Sequence, residues 1–357
     1  MKKKQLQPSI ALLLLAALLL CCAGLLHRQL LSMRRVYGLT QGDPIEEASP
    51  LVSFTTIAFG GFRGLLADAL WLRASKMQEE GRFFEMVQLA EWITQLEPRF
   101  SEVWSFHAWN LAYNISVLFE TPEDRWRWVQ SGISLLRDEG LVYNSGSAML
   151  YYELAWLYMH KLGSSIDTAN QYYKEQLFNQ MNQLTSGSSR PNYHDPAQQA
   201  ALAQQHLDAK KMQELEQRYG PLDWRLPQTH AIYWAEQGRK RAKGNEQLKL
   251  DRLIYQSLAH LFLRSSLTQG DNAAPPDLAL LPYTLAAYDR AIKNYPDNSS
   301  ISQARANFLW AALTACCLYD LNEPAQKIFD TLKKDYPQRL EVDTLEELMK
   351  LRLTTRQ

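Results

Sequence analysis

Apolar and aromatic residues of this chain recur at helical spacing, and the period-two alternation typical of half-buried strands is almost absent. The segment VWSFHAWNLAYN is the clearest case, because Trp104, Ala108 and Leu111 stand at i, i+4 and i+7 and share one helix face. Residues 121–124 supply a helix start, with a threonine cap, a first-turn proline and two acids. We therefore predict an all-α fold.

The helical pattern also repeats along the chain. Pro98 precedes Trp104 by six residues, and Ala108 and Leu111 follow at fixed intervals. This arrangement resembles the tetratricopeptide repeat, whose helix pairs open on Trp, a small residue and Tyr and close on proline. His107 stands where that repeat usually has Leu. The resemblance implies a solenoid, since one helix pair cannot bury its apolar face alone.

Residues at the positions typical of this repeat also occur later in the chain. Tyr151 opens a unit 47 residues after Trp104 instead of 34, which implies a lengthened helix between them. Two units near the C-terminus show only the second helix of the repeat. The residues assigned to repeat packing are Gly81, Phe83, Pro98, Trp104, His107, Ala108, Leu111, Tyr151, Leu154, Ala155, Tyr158, His230, Ala231, Trp234, Tyr288, Ala291, Pro296, Ala325, Phe329 and Pro337.

The N-terminus predicts a membrane segment. Residues 10–26 are free of charge, follow three lysines, and would span roughly 25 Å as a helix. A cleaved secretory signal is the alternative, but CCAG supplies the small residues of a cleavage site poorly, which favours an uncleaved anchor. The positive-inside rule places the N-terminus in the cytoplasm and the bulk outside it, in the periplasm of a bacterial cell.

Composition and turn residues suggest where the chain divides. The predicted parts are a cationic flank (1–9), a transmembrane helix (10–26), a linker (27–53), N-terminal repeats (54–183), a flexible loop (184–196), central helical hairpins (197–267), a second loop (268–277), and C-terminal repeats with a terminal helix (278–357).

Several classes of function lack support in the sequence. Lys plus Arg and Asp plus Glu number 38 each, so a basic nucleic-acid footprint is missing. The chain has no Walker loop, dinucleotide fingerprint, GxSxG elbow or HExxH pair. Its seven histidines are dispersed, and Cys316 and Cys317 are adjacent, which is not a metal-ligand spacing. We expect no cofactor, no metal and no nucleic-acid partner.

The stretch GPLDWRLPQTHAIYWAEQG, residues 220–238, is the densest in polar and aromatic groups. If Gly238 is a turn glycine equivalent to Gly81, then His230 and Ala231 occupy the positions of an earlier His-Ala pair, 107 and 108. Two such pairs at one repeat position indicate shared packing. Pro227 suits the first residue of a helix.

Asp223, Trp224 and Arg225, just before that helix, allow three interpretations. They form an ion pair that fixes the turn over a buried indole, or they present a partner-binding surface, a role in which Trp and Arg are common. In the third, Asp223, Arg225 and His230 form the site of a hydrolase or transferase, which requires the three to converge on a pocket.

A basic turn follows this stretch. Arg239, Lys240, Arg241 and Lys243 form either a solvated turn or a contact for anionic lipid or an acidic partner. We expect a membrane-anchored scaffold or adaptor that binds protein or peptide partners on a concave helical surface, in a cell-envelope or secretion assembly. The alternatives are the enzyme above and a cytoplasmic-facing, membrane-tethered assembly factor.

Overall fold

The structure, a computed structural model, describes residues 62–263, 274–340 and 342–348, with a few isolated positions between 22 and 33. The chain divides into two compact units, Met1–Gly60 and Gly61–Gln357. The described ranges contain helices and no strand, which confirms the all-α prediction for them. The anchor predicted at 10–26 and the linker at 27–53 lie, apart from those isolated positions, outside the described residues. No helix within the described residues is both long and apolar enough to cross a membrane.

The helices of the second unit are short to medium in length. In chain order they are α1 (Phe62–Glu79), α2 (Phe83–Leu96), α3 (Ser101–Trp109), α4 (Pro122–Ser134), α5 (Ala148–Trp156), α6 (Asn170–Leu184), α7 (Pro196–Gln204), α8 (Ala209–Tyr219), α9 (Pro227–Arg239), α10 (Asn245–Leu263), α11 (Leu281–Asn294), α12 (Ser299–Leu318) and α13 (Asn322–Asp335).

Three helices change their winding without a break. After α3, α4 and α5 the chain continues as the π-helical segments Asn110–Ile115, Leu135–Gly140 and Leu157–Leu162. The segment after α4 leads on into the helical turn Leu141–Tyr143. Because an additional residue per turn shifts every later side chain around the helix, a π segment changes which side chains share a face, and such segments are frequent at functional sites.

Local sequence accounts for several helix boundaries. The hydroxyl of Thr121 accepts from the backbone N–H of Asp124, and Pro122 is the first residue of α4. Pro227 begins α9 in the same way. Gly220 ends α8 at a φ of 91°, a conformation that an L side chain disfavours.

Helices pack mainly on neighbours in the chain. Helix α1 contacts α2, α9 contacts α10, α10 contacts α11, and α12 contacts α13. Contacts also join alternate helices, since α3 packs on α5 although α4 lies between them in sequence. Helix α5 in turn packs on α9. Between α1 and α3, the rings of Trp71 and Phe106 lie 4.8 Å apart, edge to face.

Most residues assigned to repeat packing lie in the core when they fall within helices. Trp104, His107, Ala108, Tyr158 and Trp234 are all buried. The same holds for Leu111, Tyr151, Leu154, Ala155, His230, Ala231, Tyr288, Ala291, Ala325 and Phe329. Phe83 and Pro98 are half-buried, while Gly81, Pro296 and Pro337 are exposed at turns.

A hydrogen bond explains the six-residue interval between Pro98 and Trp104. The indole Nε1 of Trp104 donates to the carbonyl oxygen of Pro98 at 2.8 Å. The side-chain amide of Asn144, after α4, donates to the same carbonyl at 2.8 Å. The proline carbonyl therefore joins the end of one helix pair to both helices of the next.

Gly238 differs from the turn glycine that the sequence suggested. Gly81 does lie in a turn, between α1 and α2, with a φ of 72°. Gly238 instead lies inside the last turn of α9, where a Cβ would come within 2.7 Å of Cβ of Tyr151 on α5. Its role is close approach between two helices, and the positive-φ glycine after α9 is Gly244.

Candidate functional site

The indole of Trp224 belongs to the core. Its Nε1 donates to Glu216 Oε1 at 2.7 Å, and the side chain is fully buried. His230 Nε2 is hydrogen-bonded to the carbonyl oxygen of Trp224 at 2.9 Å. The imidazole also stacks on the ring of Tyr158, with centroids 4.9 Å apart. Burial lowers the pKa of His230 to about 4, so the ring is neutral in the folded protein.

Asp223 and Arg225 form a two-point ion pair beside that indole. Arg225 Nε and Nη2 donate to Oδ1 and Oδ2 of Asp223, each at 2.9 Å. The backbone N–H of Arg225 donates to the same carboxylate at 3.0 Å, and the guanidinium lies over the ring of Phe178. Hydrogen bonding to Asp223 raises the pKa of Arg225. The pair fixes the turn that leads into α9.

The three residues of the enzyme alternative do not converge. Asp223 and Arg225 use their charged atoms on each other, whereas His230 faces the Trp224 carbonyl inside the core. His230 is 2% exposed, so its nitrogens lack access to a substrate. In the structure, the three side chains therefore do not face one shared pocket.

Glu236, in the same stretch, is the centre of a buried charge network that sequence reasoning missed. Arg239 Nε and Nη2 donate to its two carboxylate oxygens at 2.8 and 3.0 Å. Tyr219 donates to Oε2 at 2.9 Å, and Arg218 donates to Oε1. Burial would raise the pKa of Glu236, but these donors lower it overall and keep the carboxylate ionised.

The predicted basic turn separates into two kinds of residue. Arg239 holds Glu236, and Arg241 donates to the carbonyls of Ser145 and Gln237 while stacking on the Tyr151 ring at 4.6 Å. Both arginines therefore have structural contacts. Lys240 and Lys243 are exposed. Only these two retain the character of a solvated basic turn.

Two clefts lie close to this region. The larger, about 550 Å³, is lined by Tyr193, His194, His206, Lys210, Lys211, Tyr233 and neighbouring residues. The second, about 430 Å³, is lined by Lys211, Glu214, Leu215, Gln217, Arg218, Glu236, Gln237 and Lys240. Lys211 borders both. In the ranges that the structure describes, no group of three or more His, Cys, Asp or Glu side chains is placed to hold a metal ion.

A series of rings runs across α3 and α5 and forms a partly exposed surface, here called the aromatic strip. It consists of Trp109, Tyr113, His160, Trp156 and Tyr152. Trp109 stacks on Tyr113 at 4.1 Å, Trp156 stacks on His160 at 4.5 Å, and Tyr152 stacks on Trp156 at 6.1 Å. A hydrogen bond of 3.0 Å between Tyr113 Oη and His160 Nδ1 joins the two halves.

The π-helical segments bring the two halves of the aromatic strip together. Tyr113 lies in the segment after α3 and His160 in the segment after α5, and the two segments contact each other. Trp109 is 39% exposed, whereas Tyr113, Tyr152, Trp156 and His160 are half-buried. The strip therefore combines fixed geometry with access to solvent.

Charged groups border the aromatic strip. Glu153, next to Tyr152, is half-buried, and burial raises the pKa of its carboxyl to about 6 against the opposing effects of Lys249 and Ser105. Lys249 on α10 lies 5.9 Å from the Tyr152 ring centre, and Lys161 lies 5.1 Å from that of Tyr113. Both distances suit cation–π attraction.

Beneath the strip lies a buried ion pair. Lys161 Nζ and Asp167 Oδ2 are 2.6 Å apart, and both side chains are 2% exposed. Arg125 reaches Asp167 Oδ1 at 3.0 Å, and Tyr173 donates to Oδ2 at 3.2 Å. Burial lowers the pKa of Lys161, while these donors lower that of Asp167 despite its burial. The pair fixes the turn after the π-helical segment Leu157–Leu162.

Sequence reasoning did not identify the aromatic strip, although its signal was visible. Trp109 and Tyr113 stand at i and i+4, as do Tyr152, Trp156 and His160 in succession. In isolation this spacing is indistinguishable from a buried helix face. Only the exposure of the rings, which depends on the surrounding helices, separates a binding surface from core.

Comparisons with protein-family models, with curated proteins and with solved structures find no match to this chain.

Proposed function

We propose that this protein is a membrane-anchored scaffold of tetratricopeptide-like helical hairpins, and that it binds an extended segment of a protein partner along the aromatic strip. In this proposal residues 10–26 form the anchor, and the repeat region lies outside the cytoplasm as part of a bacterial cell-envelope or secretion assembly. The observation that carries the proposal is the aromatic strip itself.

Helix contacts support the solenoid part of the proposal. Helices α1, α3, α5 and α9 pack in succession, and α2, α4 and α10 pack beside them. In a solenoid of helical hairpins the first helices of successive pairs line one side, which gives an extended binding surface. The aromatic strip crosses two such helices, α3 and α5.

The chemistry of the aromatic strip favours a protein partner. Trp and Tyr supply a large contact area at low conformational-entropy cost and are enriched at protein interfaces. Rings fixed by mutual stacking and by the Tyr113–His160 hydrogen bond lose little further freedom on binding. Glu153 and Lys249 at the edge add charge that selects among partners.

Site-specific photocrosslinking in cells tests this proposal. A photoreactive phenylalanine analogue placed at Trp109 should capture a reproducible protein partner. The matched control places it at Leu318, which is 60% exposed on α12 and remote from the strip in the chain. In a second experiment the analogue is placed at Trp156, and the added substitution Trp109→Ala should remove the captured band without changing thermal unfolding.

Capture of the same proteins from Leu318 as from Trp109 would contradict the proposal.

The anchor and the side of the membrane need a separate test. Alkaline extraction should leave the full chain in the membrane, and deletion of residues 10–26 should release it. A reporter that functions only outside the cytoplasm should be active when it is fused after Gln357. Activity of a cytoplasm-specific reporter at the same position would instead favour the tethered assembly factor.

A further inference from the structure

The second cleft, between α8 and the C-terminal end of α9, gathers cations from two helices. Lys211 and Arg218 stand seven residues apart on α8 and therefore share a face. Lys240 is the residue that follows α9. All three line the same cavity of about 430 Å³, together with Glu214 and Glu236.

The positive charge around this cleft exceeds the negative charge. Glu236 is 3% exposed and already holds a two-point contact with Arg239, which is not among the lining residues. Arg218 also donates to Glu236 Oε1, so two arginines hold that carboxylate, and the two lysines, Lys211 and Lys240, face the remaining carboxylate of Glu214. Among the described residues, Nζ of Lys211 and of Lys240 has no acceptor.

We propose that this cleft binds a multiply charged anionic group of the phosphate type. Lysine acts on phosphate as a mobile point charge, and arginine adds directed N–H donors, so the three side chains provide both forms of recognition. The volume lies within the range of roughly 300–1,000 Å³ typical of small-molecule sites. Lys211 also borders the 550 Å³ cleft, which offers Tyr233, His206 and Lys210 to the remainder of a ligand.

Calorimetric titration of the full chain with inorganic pyrophosphate tests the site. The chain is held in phosphatidylcholine nanodiscs, and pyrophosphate is the probe. Lys211→Gln and Lys240→Gln should each weaken binding by about tenfold, the loss of one strong charge-assisted contact. Lys243→Gln is the matched control, because it removes the same charge from the same turn at an exposed position outside the cleft. It should leave the affinity unchanged.

A second arm distinguishes a soluble phosphate compound from a lipid headgroup. The titration is repeated in nanodiscs that contain phosphatidylglycerol. A headgroup that occupies the cleft will compete and weaken the apparent pyrophosphate affinity, whereas an unchanged affinity assigns the cleft to a soluble anion. The proposal is overturned if pyrophosphate does not bind, if Lys243→Gln weakens binding as much as Lys240→Gln, or if an acidic peptide binds and pyrophosphate does not.

Discussion

The imidazole Nε2 of His230 lies 2.9 Å from the carbonyl oxygen of Trp224, and this hydrogen bond closes the turn before α9. The bond explains why a histidine is buried here, since a carbonyl turned into the core needs a donor. His107 on α3 is also buried, and in the described part of the chain its Nδ1 has no partner. The protein thus holds two buried, neutral histidines with different bonding.

These two histidines should make the protein acid-sensitive. Burial lowers the pKa of each to about 4 from a usual 6.5. The unfolded chain therefore binds protons first as pH falls, so their contribution to stability is complete above pH 6.5 and is lost towards pH 4. Each can contribute up to roughly 3 kcal/mol to that loss. Denaturant unfolding across this pH range measures the effect.

Substitutions identify the source of the acid sensitivity. His230→Gln can still donate to the Trp224 carbonyl but does not titrate, so the fall in stability with pH should become shallower. His194→Gln is the control, because that side chain is exposed. If both variants show the slope of the unmodified protein, His230 is not its cause.

The sequence predicts contacts that depend on neighbours in the chain better than contacts that depend on distant ones. The Pro98–Trp104 interval was visible, since a single hydrogen bond spans it. The need for a glycine at position 238 could not be predicted, because the atom that leaves no room for a Cβ belongs to Tyr151, which is far away in sequence. Glu236 lies in the polar stretch 220–238, but its partners Arg218 and Tyr219 come from another helix.

Gly238→Ala should destabilise the protein. A Cβ at that position would lie 2.7 Å from Cβ of Tyr151 and 3.2 Å from Leu250. Because a backbone-proximal atom cannot move aside, we expect a loss of about 1–3 kcal/mol in denaturant unfolding. Gly64→Ala on α1 is the control, since its nearest contact is 3.8 Å away and alanine favours a helix. A neutral Gly238→Ala would mean that α5 and α9 are farther apart.

The turn before α9 should depend more on the Trp224 indole than on the Asp223–Arg225 pair. Trp224→Phe keeps a buried ring but removes the indole donor of Glu216 and leaves Tyr193 as the remaining hydrogen-bond donor, at a cost of about 1–3 kcal/mol. Asp223→Asn weakens an ion pair that is partly exposed, with side-chain exposures of 27% and 21%, and should cost about 1 kcal/mol. Thermal unfolding of both variants measures the two losses of stability. A larger loss for Asp223→Asn than for Trp224→Phe would contradict this account.

The Lys161–Asp167 pair should show strong coupling in a double-mutant cycle. Lys161→Met or Asp167→Asn alone leaves a charge buried with fewer partners, which should cost about 3–5 kcal/mol in denaturant unfolding. The double variant should lose less than the two single losses together, since neither charge then lacks the other. Part of the cost remains in the double variant, because Arg125 has then lost the ionised carboxylate of Asp167. The exposed pair Lys327–Glu323 is the control, and Lys327→Met should have no measurable effect. Additive losses at Lys161 and Asp167 would mean that Arg125 and Tyr173, rather than Lys161, hold the carboxylate.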